Sequence, residues 1–174
     1  SGADRPLDDL AHHVCRIGAR RAYEQAGIGP GDVSVAEVHD ATAFAEILQT
    51  ENLQLCEPGQ GGWLAEKGHT ALGGRVPVNP SGGLESKGHP IGATGLGQIF
   101  ELVTQLRGEA GKRQVPGAKV AVAENGGGFH GGHRCQRQPG GERRGRFERR
   151  ELRCRGLVHL QQRCHQQRNR TDLR

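Results

Sequence analysis

A chain of 174 residues and 18.7 kDa has room for about one domain and a modest core, yet only 33% of it is apolar and 29 residues are glycine. The net charge of +5 is unevenly placed: residues 1–132 carry 11 Lys and Arg against 15 Asp and Glu, whereas residues 133–174 carry 13 Arg, no Lys and four acids. Neither a run of 18 apolar residues nor a basic-then-apolar leader occurs, which argues against a membrane-spanning segment and makes the cytoplasm the expected compartment.

In chain order, Asp8 or Asp9 can start a helix over Leu10 to Ala26, with Leu10, Val14, Ile17, Ala22 and Tyr23 as its apolar stripe and Gly27 as its stop. Ile28 to Asp32 reads as a turn. Val33, Val35 and Val38, with Ala36 between them, predict a short buried strand that runs into His39-Asp40, and Thr42 to Leu53 suits a second helix. Residues 56–90 are crowded with Gly and Pro and predict a long irregular stretch, a kind of loop that commonly carries function. Ile91 to Leu106 predicts a third helix, with Pro90 near its first turn and Leu96, Ile99, Phe100, Val103 and Leu106 on one side. Lys119 to Ala123 is a final short strand, ended by Gly126-Gly127-Gly128. Alternating helices and strands without an internal repeat argue an α/β fold.

The densest chemical signal is Asn79-Pro80-Ser81-Gly82-Gly83-Leu84-Glu85-Ser86-Lys87-Gly88-His89-Pro90-Ile91-Gly92-Ala93-Thr94-Gly95. Its glycines let backbone approach a ligand closely, and Pro90 fixes the chain direction just after His89. A histidine at the entrance to a helix, beside unpaired amide donors, is a candidate general base; the plain alternative is an exposed turn histidine. Gly92, Gly95 and Gly97 do not form a dinucleotide loop, because no strand precedes them directly, although a phosphate could rest on those amides. His39-Asp40 follows a strand, where open α/β sheets place functional groups, and Asp40 could equally cap the next helix. Glu124-Asn125-Gly126 leaves a second strand, so three polar sites lie on loops that could converge. Five scattered cysteines without a C-x-x-C pair predict neither a disulfide framework nor a metal site, since Cys164-His165 alone cannot fill a tetrahedral shell.

These blocks, in this order, resemble the C-terminal half of a thiolase, most nearly of the sterol-carrier-protein type. The matching segments are Glu37-Val38-His39-Asp40 with Phe44-Ala45-Glu46, Leu72-Gly73-Gly74-Arg75 with Asn79-Pro80-Ser81-Gly82-Gly83, Lys87 to Gly95, and Glu124 to Gly128, within about residues 5–132. The resemblance implies a βαβαβαββ-like mixed sheet with helices, here lacking its last strand. It also implies acyl-CoA thioester chemistry in lipid or fatty acid metabolism, an N-terminal thiolase half or a homodimer partner, and no covalently bound cofactor. His89 matches the histidine that activates a nucleophilic cysteine and helps to hold the thioester oxyanion. His39 matches the residue that orients water at that site, Gly126 the glycine of a second oxyanion hole, and Asn79, Gly82 and Gly83 its oxyanion or substrate side.

The departures set the second expectation. The family's acyl-accepting cysteine belongs to the other half, so this chain alone should not be acylated, and neither Cys15 nor Cys56 lies in a suitable motif. Glu124 and Ala41 stand where family members carry the second acid/base cysteine, which makes Glu124 the candidate replacement base and leaves an aldolase-type or noncatalytic protein as the rival. With no methionine anywhere, the chain is expected to be a piece of a longer one. Residues 133–174 are expected to be disordered or out of frame: one codon choice for His133 to Gln138, shifted by a base, reads Thr-Asp-Ala-Ser-Ala, similar to a thiolase's entry into its last strand. The alternative, an arm that binds nucleic acid through its positive charge, has Phe147 as its sole aromatic residue for stacking on bases.

Overall fold

Helix α1 covers Val14–Ala26 and is closed at Gly27, whose left-handed φ of 66° lets the following amide of Ile28 return to the Tyr23 carbonyl. The computed structural model describes Ala11, residues 13–126 and, by its backbone, strand 157–161. The residues expected to start the first helix, Asp8 to Leu10, lie outside them; His13 caps α1, its Nδ1 accepting from the Cys15 amide at 3.2 Å. The inward face of α1 also differs from the apolar stripe: Cys15, Ala19, Ala22 and Tyr23 are buried, and Val14 is exposed. Small residues at i and i+4 let the helix lie close to the sheet, which an uninterrupted stripe of large side chains would prevent.

Strand β1, Val35–Glu37, pairs in parallel with β2, Ala121–Asn125, with Val35 opposite Ala121 and Glu37 opposite Ala123. Alternation on these strands divides the core into two. Ala36, Val38 and Val122 face Ala19, Tyr23, Leu53 and Val76 on one side; Val35, Ala121 and Ala123 face Leu102 and Val115 on the other. A parallel sheet buried on both faces is what its nearly continuous apolar strands require. On its outer edge β1 exchanges backbone bonds with the loop at Pro77 to Asn79. On the far edge of β2 lies β3, Leu157–Gln161, also parallel, so a segment of the arginine-rich tail occupies the edge at which no final strand was expected. Every strand pair among the described residues is parallel, in keeping with the expected incomplete α/β fold. The segment directly after the glycines, and the rest of the tail with its proposed frame shift, lie outside the described residues.

Helix α2, Ala43–Asn52, starts at Thr42, whose hydroxyl accepts from the Ala45 amide. The glycine-rich stretch is not wholly irregular: it holds the short helices α3, Gly61–Glu66, and α4, Gly83–Lys87. Helix α5 covers Thr94–Arg107 and packs on β1 and β2. Its inward face differs in part from the expected apolar one, of which Ile99 and Leu106 do pack against the core. Thr94, Gln98, Glu101 and Gln105 are buried with Leu102, while Leu96 and Phe100 are 73% and 72% exposed.

That inversion has a hydrogen-bonding cause. Gln98 donates to the Glu124 carbonyl, Gln105 accepts from the Val115 amide and donates to the Arg113 carbonyl, and Glu101 takes two bonds from the Arg113 guanidinium. Polar groups satisfied in this way can be buried, although Gln98 Oε1 is buried without a hydrogen-bond partner. A helix apolar on its remaining face as well is one that expects cover on both sides.

Tyr23 joins the two halves of the first core. Its hydroxyl donates to the Leu53 carbonyl at 2.8 Å, and burial pushes the phenol well above its ordinary pKa. Tyr23→Phe leaves that buried carbonyl without its partner and should lower the unfolding free energy by about 1–3 kcal/mol, measured by urea denaturation.

Candidate functional site

The parallel pairing of β1 and β2 sends both chains out at the same edge, so His39 leaves one strand beside Glu124, Asn125 and Gly126 of the other. The Glu124 carboxylate is fully buried; its Oε2 accepts the His39 amide at 3.0 Å and its Oε1 lies 3.8 Å from the Cys15 thiol, which donates to it. Burial pushes the Glu124 carboxyl above the ordinary range, against the opposing pull of the His39 amide, the His39 charge and Cys15. Asn125 Oδ1 lies 2.9 Å from His39 Nδ1. An amide oxygen only accepts, so His39 Nδ1 carries the proton and Nε2 is left for chemistry.

His89 comes from the opposite wall, on the turn between α4 and α5, and it is exposed. Its Nδ1 is 2.7 Å from Thr94 Oγ1, and the Thr94 hydroxyl donates onward to the Pro90 carbonyl at 3.2 Å. With that proton engaged, Thr94 accepts from His89 Nδ1–H. In its neutral form the ring then presents Nε2 as an acceptor, the arrangement a general base needs. The two imidazoles meet edge to face, ring centroids 4.7 Å apart and planes at 87°. Two distant histidines thus share one small volume.

The structure brings together His39, His89, Glu124 and Gly126. A Cβ at Gly126 would meet Glu124 and His39 only at 3.7–3.9 Å, so ordinary contact, and not a lack of space, surrounds that glycine. Asn79, Gly82 and Gly83 belong to the supporting loop. Asn79, at φ 51°, accepts the Val38 amide on Oδ1 and donates to Glu46 from Nδ2, so both ends of its side chain are engaged inside the fold. Gly82 and Gly83 open α4, and a Cβ on Gly83 would fall 1.9 Å from Asp40 Oδ2, at a φ of 62° that L side chains rarely adopt. Asp40 is indeed a capping residue, but for α4: Oδ1 accepts the Leu84 amide at 2.7 Å, while Thr42 caps the helix that follows Asp40 in the chain.

Sequence reasoning passed over Thr94, Asn125, Gln98 and Cys15. Thr94 was detectable as a hydroxyl in the first turn after His89; Asn125 follows Glu124 directly. Cys15 carries no local signal, since only the packing of α1 against β2 brings it to Glu124. Gly95 likewise acquires its meaning in space: a Cβ there would stand 2.5 Å from Asn125 Nδ2 and displace the amide that orients His39. Among the described residues no group of three or more His, Cys, Asp or Glu is arranged to hold a metal ion, and no helix is long and apolar enough to cross a membrane.

The model of the thiolase C-terminal domain-like family matches residues 5–135. The chain belongs to that family. Sterol carrier protein 2 of Rattus norvegicus is 55% identical to this thiolase-type domain over 116 residues, 67% of this chain and 21% of that protein. An acetyl-CoA acetyltransferase of Methanothermobacter thermautotrophicus is 51% identical over 65% of this chain and 30% of its own, and the benzoylsuccinyl-CoA thiolase subunit BbsB of Thauera aromatica 41% over 72% and 33%. Among solved structures, the Ltp2-ChsH2(DUF35) aldolase superimposes with a TM-score of 0.55 at 26% identity, over 63% of this chain and 28% of that one. The chain therefore spans about a fifth to a third of the length of these relatives.

Because the Glu124 carboxyl is raised in the fold, its contribution to stability is fully present below the unfolded value of about 4.3 and is lost as pH rises through the higher folded value. Glu124→Gln should flatten that part of the profile, seen as a smaller fall in melting temperature between acidic and neutral pH.

Proposed function

We propose that this domain is the histidine-bearing half of a thiolase-like acyltransferase that makes or breaks carbon–carbon bonds next to a coenzyme A thioester. The observation that carries the reading is the pair of Nδ1-anchored imidazoles with rings 4.7 Å apart. In this reaction His89 Nε2 takes the proton of a cysteine thiol supplied by the N-terminal half. As imidazolium it then returns a hydrogen bond to the thioester oxygen as negative charge develops there, with His39 orienting a water or donating beside it. Donors aimed in advance at that charge are worth most in a site from which water is excluded.

Glu124 has a different task in this reading from the expected base. With both oxygens holding His39 and Cys15 and the side chain fully buried, its geometry suits fixing the loop that carries His39. In the assembled protein, exchange of the acetyl-CoA α-protons for deuterium, followed by proton NMR, separates the roles. His89→Ala should slow exchange by about 10²–10³-fold, and unchanged exchange would overturn the reading. Glu124→Gln should slow it far less; abolition by that change would restore Glu124 as the base.

In this reading the N-terminal half supplies the nucleophile and also cover for α5. Leu96 and Phe100, one turn apart, stand exposed on the side of the helix away from the sheet, with Ile91 before them. Introducing Leu96→Asp with Phe100→Asp should leave the fold of this domain intact and weaken capture of the cysteine-bearing half by about tenfold or more, measured by co-purification and native mass spectrometry. The isolated chain should show no thioester exchange above buffer.

A second reading rests on an aldolase among the structural neighbours, together with the resemblance by which Ala41 and Glu124 stand where thiolases carry their acid/base cysteine. An aldolase-type subunit would cleave a β-hydroxyacyl-CoA and leave a β-ketoacyl-CoA untouched by thiolysis. Assaying both substrates on the assembled protein decides between the two.

A further inference from the structure

Two residues before each site histidine stands a charged residue, and the two are bonded to one another. Glu37 ends β1 and is fully buried; Lys87 ends α4, its side chain 31% exposed, with Nζ 3.3 Å from Glu37 Oε2. Ser81 completes the group, giving its amide to Glu37 Oε1 at 3.0 Å and its hydroxyl to Oε2 at 2.7 Å, and accepting a further bond from the Lys87 ammonium. Ser81 next to a lysine does not make a nucleophile here, because its proton is committed to Glu37 and its oxygen to Lys87.

We propose that Glu37, Ser81 and Lys87 form a polar clamp that sets the spacing between the His39 and His89 imidazoles, with Lys87 a positioning residue for His89.

The grip is double. Asp40, immediately after His39, accepts the Leu84 amide and so holds the first turn of α4, while Glu37 holds its last residue. The β1 segment around His39 therefore grasps the five-residue helix at Leu84 and at Lys87, about 4.5 Å apart along the axis at 1.5 Å per residue. His89 follows that helix after a single glycine, Gly88, at φ 85°. A buried carboxylate is costly to desolvate unless paired and hydrogen-bonded, so loss of either partner is felt at the segment it holds. The Thr94 bond sets how the His89 ring is turned; the clamp sets where the ring begins.

The inference rests on the reading that the two histidines act together, but it is tested without activity. In the full chain with isotopically labelled histidine, the nuclear Overhauser contact between the two rings and the ring nitrogen shifts of His89 report their spacing. Lys87→Met should weaken or abolish the contact and move the His89 shifts while the helix content is retained, and Lys87→Arg should restore both. A contact and shifts unchanged in Lys87→Met would overturn the clamp. Should Lys87→Met fail to fold, Ser81→Ala, which keeps the ion pair and removes the hydroxyl's bonds to Glu37, Lys87 and the Gly83 amide, should still weaken the contact, and no change there is equally fatal. In the assembled enzyme the same loss should lower kcat by about 10²-fold with KM little altered, the size expected of an ångström-scale misplacement. If the ring contact responds but His89→Ala leaves exchange untouched, the clamp stands and the catalytic reading falls.

Discussion

The parallel register of β1 on β2 is the constraint from which the site follows. With Glu37 opposite Ala123, the chain segments that leave the two strands emerge at one edge and in one direction, so His39 and the Glu124 to Gly126 segment become neighbours without any contact in sequence. A one-residue slip would exchange the two cores and turn Glu124 toward the opposite face. The buried Glu124 carboxylate then converts strand pairing into loop geometry by taking the His39 amide. Backbone order becomes side-chain order at that bond.

Much of this architecture was legible in the residues. Helix ends at Gly27 and around Leu53, the two apolar strands and the three polar loops were all readable, because Gly, Thr caps and β-branched runs act locally. His39 and His89 could be singled out by their place after a strand and before a helix. The partners that orient them could not, since Thr94 and Asn125 are ordinary residues until folding sets them against an imidazole. The inward face of α5 was misread for a related reason. Periodicity counts apolar side chains, and Gln98, Glu101 and Gln105 are buried by virtue of backbone groups and an arginine that lie far away in the chain or on the next turn. The short helices of the glycine-rich stretch escaped notice because glycine opposes helix on average, while Asp40 supplies α4 with the cap that its own sequence lacks.

Seen from α5, the domain has one largely hydrogen-bonded surface and one open surface. The sheet side is a network of amides and carboxylates; the outer side shows Leu96 and Phe100 to solvent. Such division is the mark of a helix placed between two layers. It agrees with a chain that spans a fraction of the length of its relatives, and it locates the site near the edge of what this segment can build unaided.

The distance along the chain between β1 and β2 has a temporal consequence. Roughly 80 residues separate the two strands, and closing so long a loop precedes any reward from their pairing. During synthesis from the N-terminus, His39 is made before β2, so its amide cannot find Glu124 until that strand follows. Helix α4 and His89 emerge in the interval and can dock on Asp40 and Glu37 first. The bond between the His39 amide and Glu124 is therefore available only after α4 and His89 have been made, and the site is complete only once β2 is in place.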